Sequence, residues 1–157
     1  MATVLTKLAC AVAAISVAGV ALAQSVGDRI SVGAIELQDL PAQTLAAGRC
    51  GLFLWSKTER PVFILFATES PARALVRIGN REHRLDRKQA SGEAVLGHYE
   101  KQTFAGGKYS FEIDLKYDQE SQLQDGAVIQ QGVLRTRDQK GFETILPVGG
   151  MIGCKAS

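Results

Sequence analysis

The stretch Arg49-Cys50-Gly51-Leu52-Phe53-Leu54-Trp55-Ser56-Lys57 sets a cysteine two residues before an apolar run that ends in the chain's single tryptophan. Cys50 is either a reactive thiol at a site or a covalent staple in a wall. The choice decides the compartment, the fold class and most of the architecture.

The residues that precede this stretch bear on the choice first. Residues 1–23 carry one charge, Lys7, then an uncharged run over residues 8–22, and they end in Ala21-Leu22-Ala23. A basic start, an apolar middle and a small-x-small ending form the pattern of a secretory signal peptide, with cleavage expected before Gln24. The apolar run is about 15 residues, short of the roughly 20 that a membrane-spanning helix needs. No stable transmembrane segment is expected after processing, and Cys10 is expected to leave with the leader. An exported bacterial protein, periplasmic or secreted, is the reading, with residues 24–48 as an N-terminal arm and connector and residues 49–157 as the main domain.

Loss of Lys7, the only charge before residue 24, leaves 17 basic against 16 acidic residues. Such a balance lacks the concentrated positive face that nucleic-acid binding requires, so no nucleic-acid partner is expected. Two cysteines remain, Cys50 and Cys154, and in an oxidising compartment a pair is normally bonded. The staple reading follows.

From Cys50 onward the texture is of short β-favouring runs at residues 52–55, 61–67, 72–78, 81–87, 94–104, 108–117, 127–137 and 142–154. Gly, Asn, Asp, Ser and Pro dominate the links, including Gly79-Asn80, Ala90-Ser91-Gly92 and Ala105-Gly106-Gly107, as tight antiparallel connections demand. The clearest strand is the one with Tyr109, Phe111, Ile113, Leu115 and Tyr117 alternating with Ser110, Glu112, Asp114 and Lys116. Period two puts the large apolar groups on one face and the charges on the other. By contrast, Val62 to Phe66 is apolar at every position, so both of its faces need cover, which the N-terminal arm could supply. Before Cys50 a single short strand is expected within residues 30–37. The fold class read from this pattern is all-β: an antiparallel up-and-down meander of about eight strands, closed or nearly closed into a barrel, with a two-sheet sandwich as the alternative. In an eight-stranded meander the first and last strands are antiparallel, so Cys50 at the start of one would meet Cys154 at the end of the other and lock the closure. Gly149-Gly150 is expected to form a bulge or bend in the last strand.

Residues that could carry catalysis are sparse. The two histidines, His83 and His98, lack any metal-ligand spacing, there is no Gly-x-Ser-x-Gly, and the glycine-rich end has no phosphate-cradle lysine. No catalytic residue, metal or cofactor is assigned, and a non-enzymatic role as a binding or interaction module is expected. An enzyme would need His83, His98 and a carboxylate to converge in one cleft.

Charge placement offers the candidate contact surface. Residues 73–88 hold Arg73, Arg77, Arg81, Arg84, Arg87 and Lys88 against Glu82 and Asp86, whereas residues 112–125 hold five acids against Lys116 alone. Neighbouring strands could neutralise one another. The functional reading is that the basic hairpin meets an anionic envelope polymer or an acidic protein surface, with Trp55, Lys57 and Arg60 at the adjoining turn as contact residues. The segment Phe53-Leu54-Trp55-Ser56-Lys57 resembles, over these five residues, the aromatic-Trp-x-Lys segment of small periplasmic inhibitors of c-type lysozyme. It lacks the glycine after Lys57 and stands early in the domain. That resemblance implies an alternative function, inhibition of a lysozyme-like hydrolase; a barrel carrying a small apolar ligand is a further one.

Overall fold

The computed structural model describes residues 27–118, 125–137 and 140–157. The expected leader, Cys10 and the middle of the acidic loop lie outside the described residues. Ten strands are present among the described residues: β1 (Arg29–Val32), β2 (Ile35–Gln38), β3 (Cys50–Ser56), β4 (Phe63–Glu69), β5 (Ala72–Ile78), β6 (Arg81–Val95), β7 (His98–Gly106), β8 (Tyr109–Asp118), β9 (Gly126–Arg137) and β10 (Glu143–Cys154). Strands β3 to β10 are antiparallel to each sequence neighbour, and β10 returns to pair with β3. The result is a closed eight-stranded barrel with two additional strands.

Closure is direct. Cys154 stands opposite Cys50 in the β10–β3 ladder, and the two sulfurs lie at disulfide distance with Cα atoms 4.0 Å apart. A crosslink over 104 residues removes unfolded-state freedom worth about 4–5 kcal/mol in the chain-entropy model. At Gly149-Gly150 the β10–β9 register shifts, the bulge that the sequence suggests. A Cβ at Gly150 would collide with the Phe53 carbonyl, so the residue must be glycine for β3 and β10 to approach.

Alternation fills the barrel. On β8, Phe111, Ile113 and Leu115 are buried while Ser110, Glu112 and Lys116 are exposed. Facing rows from the other strands, among them Leu52, Leu54, Ile64, Leu85, Phe104, Leu134 and Ile152, complete one continuous apolar core. The run Val62 to Phe66 is buried throughout. Ile64 belongs to the interior, whereas Phe63 and Phe66 face outward beneath Leu40 and Leu45 of the connector. The connector is stitched to β4, since Leu40 donates its N–H to the Phe63 carbonyl and the Phe63 N–H donates to Asp39 Oδ1, both at 2.9 Å.

Two elements depart from the sequence reading. In place of one strand within residues 30–37, a hairpin forms, because Gly33 at φ 61° turns the chain back between β1 and β2. Its β2 pairs with Ile78 and Arg77 of β5, past the point where the β4–β5 ladder ends at Leu75. Val32 and Leu37 are wholly buried in the barrel core, and Gly33 sits against Thr144. This hairpin plugs the end of the barrel opposite the disulfide.

The second departure is the turn expected at Ala90-Ser91-Gly92. It is a bulge, and the chain reverses at Leu96-Gly97 instead. Both turn residues have positive φ, 49° and 80°, the geometry of a two-residue hairpin turn whose twist matches the strands. Gly97 takes this at no cost; Leu96 does not, and it remains 40% exposed. The single strand expected over residues 94–104 is therefore the end of one strand and most of the next.

Candidate binding surface

The outer face of β3 and β4 carries an aromatic row. Trp55 and Phe63 stack at 4.9 Å between centroids, Phe53 and Phe66 lie 5.1 Å apart, and Phe53 links the two pairs. Phe63 and Phe66 are covered by the connector, but Phe53 and Trp55 are only half-buried. Register explains what leaves them open. Across the ladder Trp55 faces Gly149, which has no side chain, and Phe53 faces Met151, which is itself 41% exposed. An open groove results, lined by Trp55, Ser56, Lys57, Thr58, Pro61 and the backbone of Gly149-Gly150.

The β3–β4 turn shapes one wall. Ser56 is buried, and its hydroxyl accepts from the Val62 N–H at 2.9 Å while pairing with the Thr58 hydroxyl at 3.0 Å. Thr58 in turn donates to the Arg60 carbonyl at 2.6 Å. Lys57 lies along the groove and donates from Nζ to the Gln130 carbonyl at 2.7 Å. Arg60 is exposed beyond it.

The basic hairpin of β5 and β6 does not form one face. Period two sends Arg73, Arg77 and Arg84 outward, and Arg87 to the side of Leu85, which points into the core. On the outward side, acids stand directly opposite bases: Arg73 faces Asp86 and Arg77 faces Glu82. Arg73 Nε reaches Asp86 Oδ1 at 2.9 Å, and that hydrogen bond holds the Asp86 carboxyl below its ordinary range. Arg77 also approaches the Asp39 carbonyl at 3.5 Å. Arg81, opposite Ile78 beside the β5–β6 turn, and Arg84 are exposed to solvent. The acidic strand β8 is countered in the same way, with Glu112 and Asp114 near Arg135 and Asp114 near Lys101. Of the residues selected from sequence, the structure gathers Trp55 and Lys57 in the groove, leaves Arg60 close by and disperses the arginines.

A second polar group, which strand patterning alone did not single out, lies at the disulfide end. His98 opens β7 with no solvent exposure, and neither ring nitrogen has a hydrogen-bonding partner. Glu69 Oε2 and the Tyr117 hydroxyl are likewise buried without one. Burial pushes the His98 pKa down to about 4, against the opposing pull of the Glu69 charge, and Arg87 lowers it further. The Cys50 backbone favours the protonated ring without giving it a hydrogen bond that meets ordinary geometry. Burial also pushes the Tyr117 phenol up, helped by the charges of Glu100 and Glu93. His83 stands away from this group, edge-on to Tyr109 at 4.9 Å beside the β7–β8 turn, so the two histidines do not share a cleft. Among the described residues no three His, Cys, Asp or Glu side chains are grouped to hold a metal ion, and no helix is long and apolar enough to cross a membrane.

Comparison of the chain with protein-family models, with curated proteins and with solved structures gives no match.

Proposed function

We propose that the protein is an exported binding module of the bacterial envelope, whose contact surface is the groove between the β3–β4 turn and the Gly149-Gly150 bulge. The observation that carries this reading is the half-exposed Trp55, backed by the Phe63 ring and facing a glycine in place of a covering side chain. A tryptophan pre-stacked on one side and open on the other is a rigid anchor that loses little freedom on binding. Lys57 and Arg60 border it, which suits a partner presenting an apolar group flanked by acidic ones. A Cys pair at bonding distance supports an oxidising compartment.

The arginines Arg73, Arg77, Arg81, Arg84 and Arg87 contribute less to this surface than their density in sequence suggests, since opposed acids and opposite faces divide them. The carrier reading is disfavoured by the continuous row of aliphatic and phenylalanine side chains that occupies the barrel interior. Inhibition of a lysozyme-like hydrolase remains the specific form of the binding reading that the corner with half-exposed Trp55 and exposed Lys57 favours.

Capture from envelope extracts with the processed, oxidised protein tests the proposal. Trp55→Ala is expected to weaken a captured partner by about 30-fold or more, as loss of an anchor does, while Arg77→Glu/Arg81→Glu has a smaller effect. Undiminished capture by Trp55→Ala rejects the groove. Stoichiometric loss of lysozyme activity on addition of the protein would identify the partner class.

A further inference from the structure

We propose that the tip of the β6–β7 hairpin is an acid-operated lid, closed over the disulfide end of the barrel at neutral pH and released when His98 takes up a proton. This inference is independent of the Trp55 groove.

The geometry begins with pairing. β6 is bonded to β5 only as far as Asp86, and β7 to β8 only from Lys101 onward. Residues 87–91 of β6 still pair with Phe104 to Lys101, which the β7–β8 ladder holds in the wall, so only the tip over residues 92–100 pairs with itself alone. Continued straight, the four residues from Lys101 to Gly97 would carry the tip roughly 13 Å past the last wall-bound pair. Instead Gly97 packs on the Glu69 side chain at the end of β4, so close that a Cβ there would lie 2.7 Å from the Glu69 Cβ. Register shifts between Arg87 and Gln89 and between Ser91 and Ala94 supply the bend. The hairpin therefore folds back across the mouth, and Val95 and His98 enter the space beneath it.

The tip is held by the burial of Val95 and His98 and by polar bonds. Arg87 Nη1 donates to the Gly97 carbonyl at 3.1 Å and to Gln102 Oε1 at 3.0 Å, and Glu93 donates its N–H to Glu100 Oε2 at 3.1 Å. The Glu93–Glu100 bond lies within the tip and would persist on opening, whereas the Arg87 bond to the Gly97 carbonyl ties the tip to the wall and is lost with it. What closure buries is His98, Glu69 Oε2 and the Tyr117 hydroxyl, each without a hydrogen bond. An unpartnered buried polar group disfavours the closed state and offsets part of what the burial of Val95 and the His98 ring contributes.

Protonation acts on that balance. The groups that act on His98 are Glu69 from β4, Arg87 from β6 and the Cys50 backbone from β3, while Glu93 and Glu100 of the same hairpin act on Tyr117 of β8. Glu69 would favour a charged ring, but its Oε1 is already 3.5 Å from Arg49 Nη1. Arg87 and the loss of water oppose it. An open lid restores the ring to water and to its ordinary pKa near 6.5, whereas the closed lid depresses it to about 4. Acid is thus bound preferentially by the open state, and the opening constant rises about 30-fold between pH 7.5 and pH 5.

Hydrogen exchange on the oxidised protein, with protection factors corrected for the intrinsic pH dependence, reads this directly. Amides of residues 92–100 are expected to lose about 30-fold in protection from pH 7.5 to pH 5, while those of β3 and β10 hold. Unchanged protection in the hairpin, or a loss shared equally by β3 and β10, overturns the lid. His98→Phe is expected to abolish the pH response, and a retained response overturns the assignment to His98. Should that variant fail to fold, Gly97→Ala provides the second arm. Its methyl cannot fit against Glu69, so the hairpin should exchange fast at pH 7.5 with the core protected; wild-type protection in the hairpin would overturn the proposal.

Discussion

The two ends of the barrel are closed by hairpins of opposite character. At one end β1 and β2 insert Val32 and Leu37, both fully buried in the apolar core, and β2 gains ladder bonds to β5. At the other the β6–β7 tip inserts His98, the only ionisable side chain among the fully buried described residues, and makes no ladder bond to the strands it covers. Apolar burial is insensitive to pH and gains stability with area; burial of an imidazole is conditional on its remaining neutral. One closure is a permanent plug, the other a conditional one, and the disulfide beside the conditional closure fixes the strands that it rests upon.

The sharpest way to break this contrast is to remove the staple. Replacing Cys50 and Cys154 together by serine is expected to cost about 4–5 kcal/mol in chemical denaturation, and a loss below about 1 kcal/mol would show that the pairing of β3 with β10 suffices alone. Leu37→Ala in the plug should destabilise the whole barrel by about 3 kcal/mol, since a wholly buried leucine leaves a cavity. If only local exchange near β2 rises, the plug is no part of the cooperative core.

Acidification probes the opposite end. Because closure lowers the His98 pKa, its contribution is complete above about pH 6.5, weakens as pH falls toward about 4 and is level below that. Over that window the loss is expected to be about 3 kcal/mol at most, measured as stability against pH in wild type and His98→Phe. Equal slopes for the two would remove His98 from the account. The smallest effect is expected from Gly33→Ala, about 1 kcal/mol, where a positive φ and the nearby Thr144 hydroxyl both resist a methyl group. A neutral result there would mean that the plug hairpin can shift without loss.

How much of this was legible depended on whether the signal was local. Alternation along β8 gave its inward face without reference to any partner, and the Cys50–Cys154 pairing followed from strand parity once about eight strands were counted. The turn at Leu96-Gly97 was hidden because Gly92 and Gly97 both adopt positive φ, and only the pairing of β6 with β7 decides which one reverses the chain. The basic cluster was legible as composition, whereas its arrangement was not. Its arginines occupy both faces of the hairpin and meet Asp86 and Glu82 across the ladder. Trp55 was visible in sequence, but its openness depends on Gly149 standing opposite, nearly a hundred residues away.

By itself, the sequence determined an all-β chain with period-two strands, a run over Val62 to Phe66 requiring cover on both faces, and a pair of cysteines placed to join first strand to last. These follow from side-chain chemistry and near-neighbour geometry, which act along the chain. Tertiary structure alone decided that the N-terminal arm becomes a plug, that His98 is sealed beneath a folded-back hairpin, and that a glycine uncovers Trp55. Each of those depends on which distant residue arrives opposite, and register across a closed sheet is a property of the whole ring of strands.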